Sequence, residues 1–405
     1  MSDLTPTTPL HINTLMVHDK NEKQDPYGAV VPPIYHNSLF TFDSWEAIEQ
    51  AFDDKIGNAI YTRGKNPTIT MVEDKIAQLA RGDSAKLFAS GMAAASAGML
   101  HFLSAGDHII ALNNNYGPVI NFINHFLVPK MNISVTYVSG EDIHEIVAAI
   151  TPQTQLIYLE SPSSVVFSLQ DIEQIATLAK AHEIHTMIDN TWATPLFQKP
   201  LEMGIDLELH SCSKYLGGHS DIISGVLIGD KRLIDAIHSR EFELLGACMS
   251  PIEASYLLRS LRTLDLRMER HQKNALEVAA FLEQHPQVEL VNYPGLSSNK
   301  QYELAKRQMT GFSGLMSFRL KTDDLPTIKR FFNQLKLFQI GVSWGGHESL
   351  IYAPAISFLA EQSPKRFAQM GVAIGDMRIS VGLEHVDDLI ADLDIALSNL
   401  EANLE

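Results

Sequence analysis

The chain has 405 residues, 45% of them hydrophobic and 20% charged, an ordinary globular composition long enough for two or three domains. Its net charge of −17, its pI near 5.3 and the lack of any basic run argue against nucleic acid or an anionic membrane as partner. Two cysteines, Cys212 and Cys248, are too few for a disulfide framework and show no metal-ligand spacing, so no metal is expected.

Residues 1–9 lack the basic-then-apolar order of a secretion signal. The longest apolar stretch, 91–103, contains glycine, serine and histidine and is too short to span a bilayer. A cytoplasmic location is expected.

Residues 1–60 read as an extended arm, with an irregular connector at 30–35 and a short helix at 44–52. Such an arm packs on a neighbouring subunit or on the main domain. Tyr61-Thr62-Arg63-Gly64-Lys65-Asn66-Pro67-Thr68 follows. Arg63 offers a fork of donors suited to a phosphate, with the Tyr61 hydroxyl at the same end; a turn with an exposed arginine is the plainer alternative. An amphipathic helix is predicted over 68–81, with Met71, Ile76, Leu79 and Ala80 apolar.

A short strand at 85–88 leads into Ala89-Ser90-Gly91-Met92, which opens a small-residue helix reaching about 103. Unpaired N–H groups at such a helix start form a natural phosphate cradle. The strand 108–112 ends at Asn113-Asn114-Asn115-Tyr116-Gly117-Pro118, where ligands bind in α/β sheets. Tyr116 there either stacks on a ligand ring or caps the edge of the core. Helices at 119–127, 142–150 and 169–183 alternate with strands at 134–138, 156–159 and 184–188, and Glu160-Ser161-Pro162-Ser163-Ser164 closes the second of these strands. The alternation implies an α/β fold with a mostly parallel sheet covered on both faces.

The apolar run 205–209 stops at His210-Ser211-Cys212-Ser213-Lys214-Tyr215-Leu216-Gly217-Gly218-His219-Ser220-Asp221 and resumes at 224–229. A lysine between two strand-like runs is often a solvated loop residue. Here Ser211 and Ser213 precede it, and the isolated Asp189 lies upstream at the end of a strand. That set is what a pyridoxal phosphate (PLP) enzyme needs. An amine forms a Schiff base with the aldehyde, a carboxylate pairs with the pyridinium nitrogen, and hydroxyls take the phosphate. Cys212, beside the lysine, reads as a small buried residue.

After 229 the pattern changes to long helices at 231–245 and 251–283. The second, with Leu257, Leu258, Leu261, Leu264 and Met268, reads as a connecting helix. Strands at 288–293 and 315–320 then alternate with helices at 325–335 and 386–401, a smaller α+β domain. The segment 341–350 is glycine-rich, and Arg378 stands at the start of an apolar strand pattern. It either pairs with structural acids or clamps a substrate α-carboxylate. The organisation predicted is an arm (1–60), a PLP-binding domain (61–255) and a C-terminal domain (256–405). No strand feeds a GxGxxG or a P-loop, which argues against a nucleotide-binding protein.

YTRGKNPT, SGMAA, YGP, DNTWATP, SCSKYLGGHSD, SWGGHESL and RISVGLE together resemble the cystathionine γ-synthase/β-lyase family of PLP enzymes, also called the Cys/Met-metabolism family, over nearly the whole chain. The resemblance implies fold-type I and a homotetramer whose active sites are shared between two subunits. By position it implies Lys214 as the Schiff-base and proton-transfer residue and Asp189 as the pyridinium partner. Ser90, Gly91, Met92, Ser211 and Ser213 become phosphate ligands, with Thr191 also at the cofactor. Tyr61 and Arg63 would reach the adjacent subunit's cofactor. Tyr116 would stack on the ring and assist proton transfer. Arg378 would clamp the substrate carboxylate with Ser343, and Trp344 would line the substrate site.

Trp344, Trp192 and Ser164 resemble the bacterial β-lyase branch, whereas γ-synthases and γ-lyases read S-L-G-G and E-S-P-x-N-P. The γ-synthase glutamate is Val342 here, which removes a carboxylate able to engage a distal amino group. Asn66-Pro67-Thr68 is closer to the γ branch. A methionine γ-lyase also tends to be apolar at the Val342 position but carries cysteine where Pro118 stands. The expected reaction is β-elimination of a small sulfur-containing amino acid, L-cystathionine, to homocysteine, pyruvate and ammonia. The alternatives are γ-elimination or γ-replacement (methionine γ-lyase, cystathionine γ-lyase or γ-synthase) and a catalytically silent PLP-binding regulator.

Overall fold

The computed structural model describes residues 10–18, 27–357 and 370–400. The stretch 1–9, weighed above as a secretion signal, lies outside them, as does position 401 of the last predicted helix. Strands β1 (Ser84–Phe88), β2 (His108–Leu112), β3 (Ser134–Val138), β4 (Thr154–Glu160), β5 (His185–Asp189), β6 (Leu207–Ser211) and β7 (Gly225–Gly229) form a seven-stranded sheet in the order β1-β7-β6-β5-β4-β2-β3. The strands from β3 to β6 run parallel, and β7 is antiparallel to both β1 and β6.

The near-continuous apolar strands are explained by burial on both faces. Along β2, Ile109 and Ala111 pack with Ala94 and Ala97 of the Gly91–Phe102 helix. Ile110 and Leu112 face the other way, onto Ile146, Ile172 and Ile175. Each fully buried aliphatic side chain stabilises the fold by about 1.5–3 kcal/mol. The helices start at polar caps visible in the sequence. The Asn66 side chain accepts from Thr68 N–H at 3.0 Å and the Asp171 carboxylate from Gln174 N–H at 3.3 Å.

Three elements differ from expectation. The helix predicted at 119–127 starts at Gly117 and continues as Gly117–Phe122, a wider turn Ile123–Leu127, and Val128–Met131. Pro118 falls in the first turn, where a missing N–H costs little, whereas Pro129 follows the wider turn and interrupts the regular ladder there. The helix at 169–183 contracts to Ile172–Ala181, because Leu169 N–H is taken by the Gln301 side chain and Ile172 N–H by Gln308. The pattern at 251–283 is two helices, Pro251–Leu261 and Leu264–Gln284. The first packs Leu257, Leu258 and Leu261 against Ile69, Val72 and Ile76 of the Pro67–Ala80 helix. The second turns Ala275, Val278 and Leu282 toward Phe318 and Leu389. One straight helix could not present its stripe to both cores.

A second, five-stranded sheet has β8 (Val288–Asn292), β9 (Leu315–Leu320), β10 (Gln339–Ile340), β11 (Leu350–Tyr352) and β12 (Asp376–Ser380) in the order β10-β11-β12-β9-β8. Helices Leu325–Gln334 and Val386–Ser398 cover it through Ile328, Phe331, Leu389 and Leu393. Arg378 sits mid-strand in β12, opposite Ser317 and Tyr352. A boundary at 255/256 would cut the Pro251–Leu261 helix, so we propose dividing the two units at Arg262–Thr263. In the arm, Trp45–Asp53 is helical with Ser44 capping Ala47 N–H at 3.1 Å, and Ile12–Val17 is a further short helix burying Met16.

Candidate active site

A cavity of ≈ 450 Å³ opens at the carboxyl ends of β4, β5 and β6 and is closed on one side by the loop that follows β10. That is the crevice where α/β sheets bind ligands. It is lined by Ser90, Gly91, Met92, Tyr116, Asp189, Thr191, Ser211, Ser213, Lys214, Ser343, Trp344 and Arg378, twelve residues that the sequence singles out from six separate stretches. Tyr61 and Arg63 lie outside it, exposed, with the guanidinium over the Tyr61 ring at 5.7 Å.

Ser90 caps the Gly91–Phe102 helix, its Oγ accepting from Ala93 N–H at 3.0 Å, so the first N–H groups of this helix face the cavity. Close approach of this turn to β6 and β7 requires glycines. A Cβ on Gly91 would meet Ser211 Oγ at 3.0 Å, and one on Gly225 would lie 2.5 Å from the Ser90 carbonyl oxygen. Asp189 ends β5, where Oδ1 accepts from Thr191 N–H at 2.9 Å and from the Thr191 hydroxyl. The same Thr191 oxygen accepts from Ser211 N–H at 2.8 Å, tying β5 to the turn that carries Lys214. Ser213 Oγ is held by Ser224, accepting its N–H at 3.0 Å.

Lys214 Nζ donates to Ser343 Oγ at 2.6 Å and lies 5.6 Å from the Trp344 ring. Trp344 also meets the buried Tyr215 ring edge-on, 5.5 Å between centroids. Gly345, with φ +80°, lets the backbone of this loop come within van der Waals reach of Lys214 and Tyr215. Arg378 Nη2 donates to the Val342 carbonyl at 2.6 Å, and its guanidinium lies 5.0 Å from the Tyr352 ring. Burial and then the Arg378 charge pull the Lys214 amine down to about 8, against the opposing pull of Asp189.

The chain matches, over residues 13–398, the family model of the Cys/Met metabolism PLP-dependent enzymes. The chain belongs to that family. It is therefore a PLP-dependent enzyme, and its relatives make it a carbon–sulfur lyase. It is 39% identical over 385 residues to an L-methionine gamma-lyase of Pseudomonas putida, covering 95% of this chain and 96% of that one. It is 38% identical over 389 residues to a cystathionine beta-lyase of Coxiella burnetii, covering 96% and 98%. A cystathionine gamma synthase of Xanthomonas oryzae pv. oryzae, solved in complex with cystathionine, superposes with a TM-score of 0.91 at 33% identity, covering 98% of this chain and all of that one. Overall similarity therefore does not choose among the branches of the Cys/Met-metabolism family.

The cavity's donor set fits the cofactor of this family. An amine of lowered pKa faces the same space as a carboxylate, a capped helix start that only glycine allows so close, and the hydroxyls of Ser211 and Ser213. Among the described residues no group of three His, Cys, Asp or Glu could hold a metal ion. None of their helices is long and apolar enough to cross a membrane.

Five polar residues that the sequence left without a role also line the cavity: Glu160, Ser163, Ser164, Ser220 and Glu348. Glu160 had a usable signal, since it ends β4 as Asp189 ends β5 and Tyr116 follows β2. Ser220 and Glu348 had none, because 128 residues separate two side chains that meet at 2.6 Å.

Proposed function

We propose that this lyase cleaves thioether amino acids with a polar distal end, L-cystathionine first among them, by β-elimination to homocysteine, pyruvate and ammonia. The observation that carries the reading is the Ser220–Glu348 pair, which lines the cavity together with Ile222 and Ile223 and is not among the groups assigned to the cofactor. Cystathionine would bring an ammonium and a carboxylate to such a wall. Methionine would bring a methyl group and leave the polar pair unmatched.

Arg378 would grip the α-carboxylate with its guanidinium fork, aimed by its bond to the Val342 carbonyl. Burial lowers its pKa only to about 10, so it stays charged near neutrality. Lys214, with a neutral fraction near pH 7, would take the α-proton at Nζ. Tyr116 is raised, first by burial and then by Asp189, against Arg378, so its phenol keeps a proton to give to the departing sulfur. When bound, PLP supplies an electron-accepting ring for the charge left at the α-carbon. Asp189 would hold a proton at the ring nitrogen, and Ser90, Gly91, Met92, Ser211 and Ser213 would take the phosphate.

A second reading is γ-elimination of methionine. Val342, 77% exposed, puts an apolar side chain where a γ-synthase has a carboxylate, and L-methionine gamma-lyases are among the relatives. Identification of the keto acid separates the two. Pyruvate from cystathionine supports the first, and 2-oxobutyrate from cystathionine or methionine supports the second.

We also propose a homotetramer with shared sites. Tyr61 and Arg63 are exposed outside their own cavity, and the arm exposes Tyr27, Val30, Val31 and Trp45. The free thiols of Cys212 and Cys248 suit a reducing, cytoplasmic location.

A further inference from the structure

The carboxylate of Glu160 is unused in the scheme above, yet it stands beside Asp189. The two are register partners at the carboxyl ends of β4 and β5, and both line the cavity. Two carboxylates so placed cannot both ionise without strong repulsion. Their surroundings divide the roles. Burial raises the Asp189 carboxyl as well, but two hydrogen bonds from Thr191 and the favourable fields of His210 and Lys214 oppose it. Glu160 has no cation among the groups that act on it. Its Oε2 accepts from Tyr116 N–H at 2.6 Å, and its Oε1 accepts from the Ser164 hydroxyl at 2.5 Å.

We propose that Glu160 is a positioning residue that works as a neutral acid, holding the Tyr116 segment in place while leaving Asp189 the ionised carboxylate of the pair. Burial first, then the Asp189 charge, pushes the Glu160 carboxyl up to about 8, against hydrogen bonds from Ser164, Tyr116 and Asn115. The other titratable or charged groups around it are Tyr158 on its own strand and Tyr116. Lys214 and Arg378 act on Asp189 and Tyr116 in turn. Ionisation of Glu160 would place a second negative charge beside Asp189 and the Tyr116 ring. That raises the affinity of Asp189 for a proton and adds to the negative field that favours a protonated ring nitrogen. Wild type should therefore hold a protonated ring more firmly than a neutral isostere does once pH rises through about 8.

The proposal rests on the PLP-dependent reading of the cavity but not on the choice between β- and γ-elimination. Its first test therefore needs neither cofactor nor substrate. In apo-protein, infrared difference spectra of wild type minus Glu160→Gln should show a protonated carboxyl band near neutral pH that fades as pH rises through about 8. In Ser164→Ala, the band should persist to higher pH, because the Ser164 hydrogen bond favours the ionised form. The second test follows PLP affinity against pH. Glu160→Gln, a neutral isostere, should match wild type within about threefold near pH 7 and should bind PLP about tenfold more weakly than wild type at pH 9. Glu160→Asp, too short to hold both Tyr116 and Ser164, should raise the KM for substrate more than it lowers kcat. Absence of the carboxyl band, or a Glu160→Gln protein that loses about a hundredfold in PLP affinity at neutral pH and is rescued by Glu160→Asp, would overturn the proposal. If Glu160→Gln does not fold, the Ser164→Ala shift decides alone, and an unshifted band contradicts the proposal.

Discussion

At the scale of single residues, the chemistry depends on what the cavity does to one amine. Lys214 is lowered by burial and by Arg378, so the rate at which apo-protein captures PLP should rise with pH through about 8. Removing the Arg378 charge should move that midpoint upward, since Arg378 is one of the causes of the depression. A stopped-flow pH profile of wild type and Arg378→Met checks both, and a midpoint that stays put would separate the two charges. Cys212 lies next in chain to Ser213 and Lys214, but burial raises its thiol to about 12. Thiol alkylation of native protein followed by peptide mapping should therefore modify Cys248 and spare Cys212.

The lysine, aspartate, tyrosine and arginine were all legible in the sequence, since each ends a periodic run or stands in a motif of fixed spacing. Glu160, Ser220 and Glu348 were not assigned. Their importance comes from contacts between distant stretches, such as the 2.6 Å bond from Ser220 to Glu348, which no local pattern encodes.

At the scale of elements, the site exists because strand ends and one helix start converge. Gly225 on β7 makes room for the Ser90–Gly91 turn, where a Cβ would strike backbone rather than a movable side chain. Gly225→Ala should lower stability by about 1–3 kcal/mol through overpacking, and should weaken PLP binding more than the remote Gly106→Ala does. Gly106 has no atom near its missing Cβ but has φ +91°, so it controls for backbone strain alone. Paired denaturation curves and cofactor titrations measure the difference. Strands such as β2 and β9 were legible because short apolar runs bounded by turn residues leave little choice. The split between Pro251–Leu261 and Leu264–Gln284 was not, because the helical period continues unbroken while the surface it must cover changes. The two- and three-residue strands β10 and β11 carry no period at all.

At the scale of the whole molecule, His238 and His271 are buried neutral, each drawn down to about 4 chiefly by burial. The unfolded chain binds these protons at higher pH than the native one does. Stability is therefore full above about 6.5 and is lost as pH falls toward 4, by on the order of 3 kcal/mol for each histidine. Urea midpoints measured across that window should fall with pH, and His271→Gln should flatten the slope. If sites are shared, mixing inactive Arg63→Ala and Lys214→Ala subunits should restore turnover that neither parent has, because one hybrid site regains both side chains.

In the proposed reaction Lys214 handles the proton at the substrate's α-carbon only, and sulfur leaves from the carbon next to it. Proton NMR of L-cystathionine turnover in D2O reads both points at once. Pyruvate is the keto acid expected, with exchange in recovered substrate confined to the α-position of the cleaved half. Accumulation of 2-oxobutyrate, with deuterium entering the adjacent methylene of the substrate, would contradict that reaction.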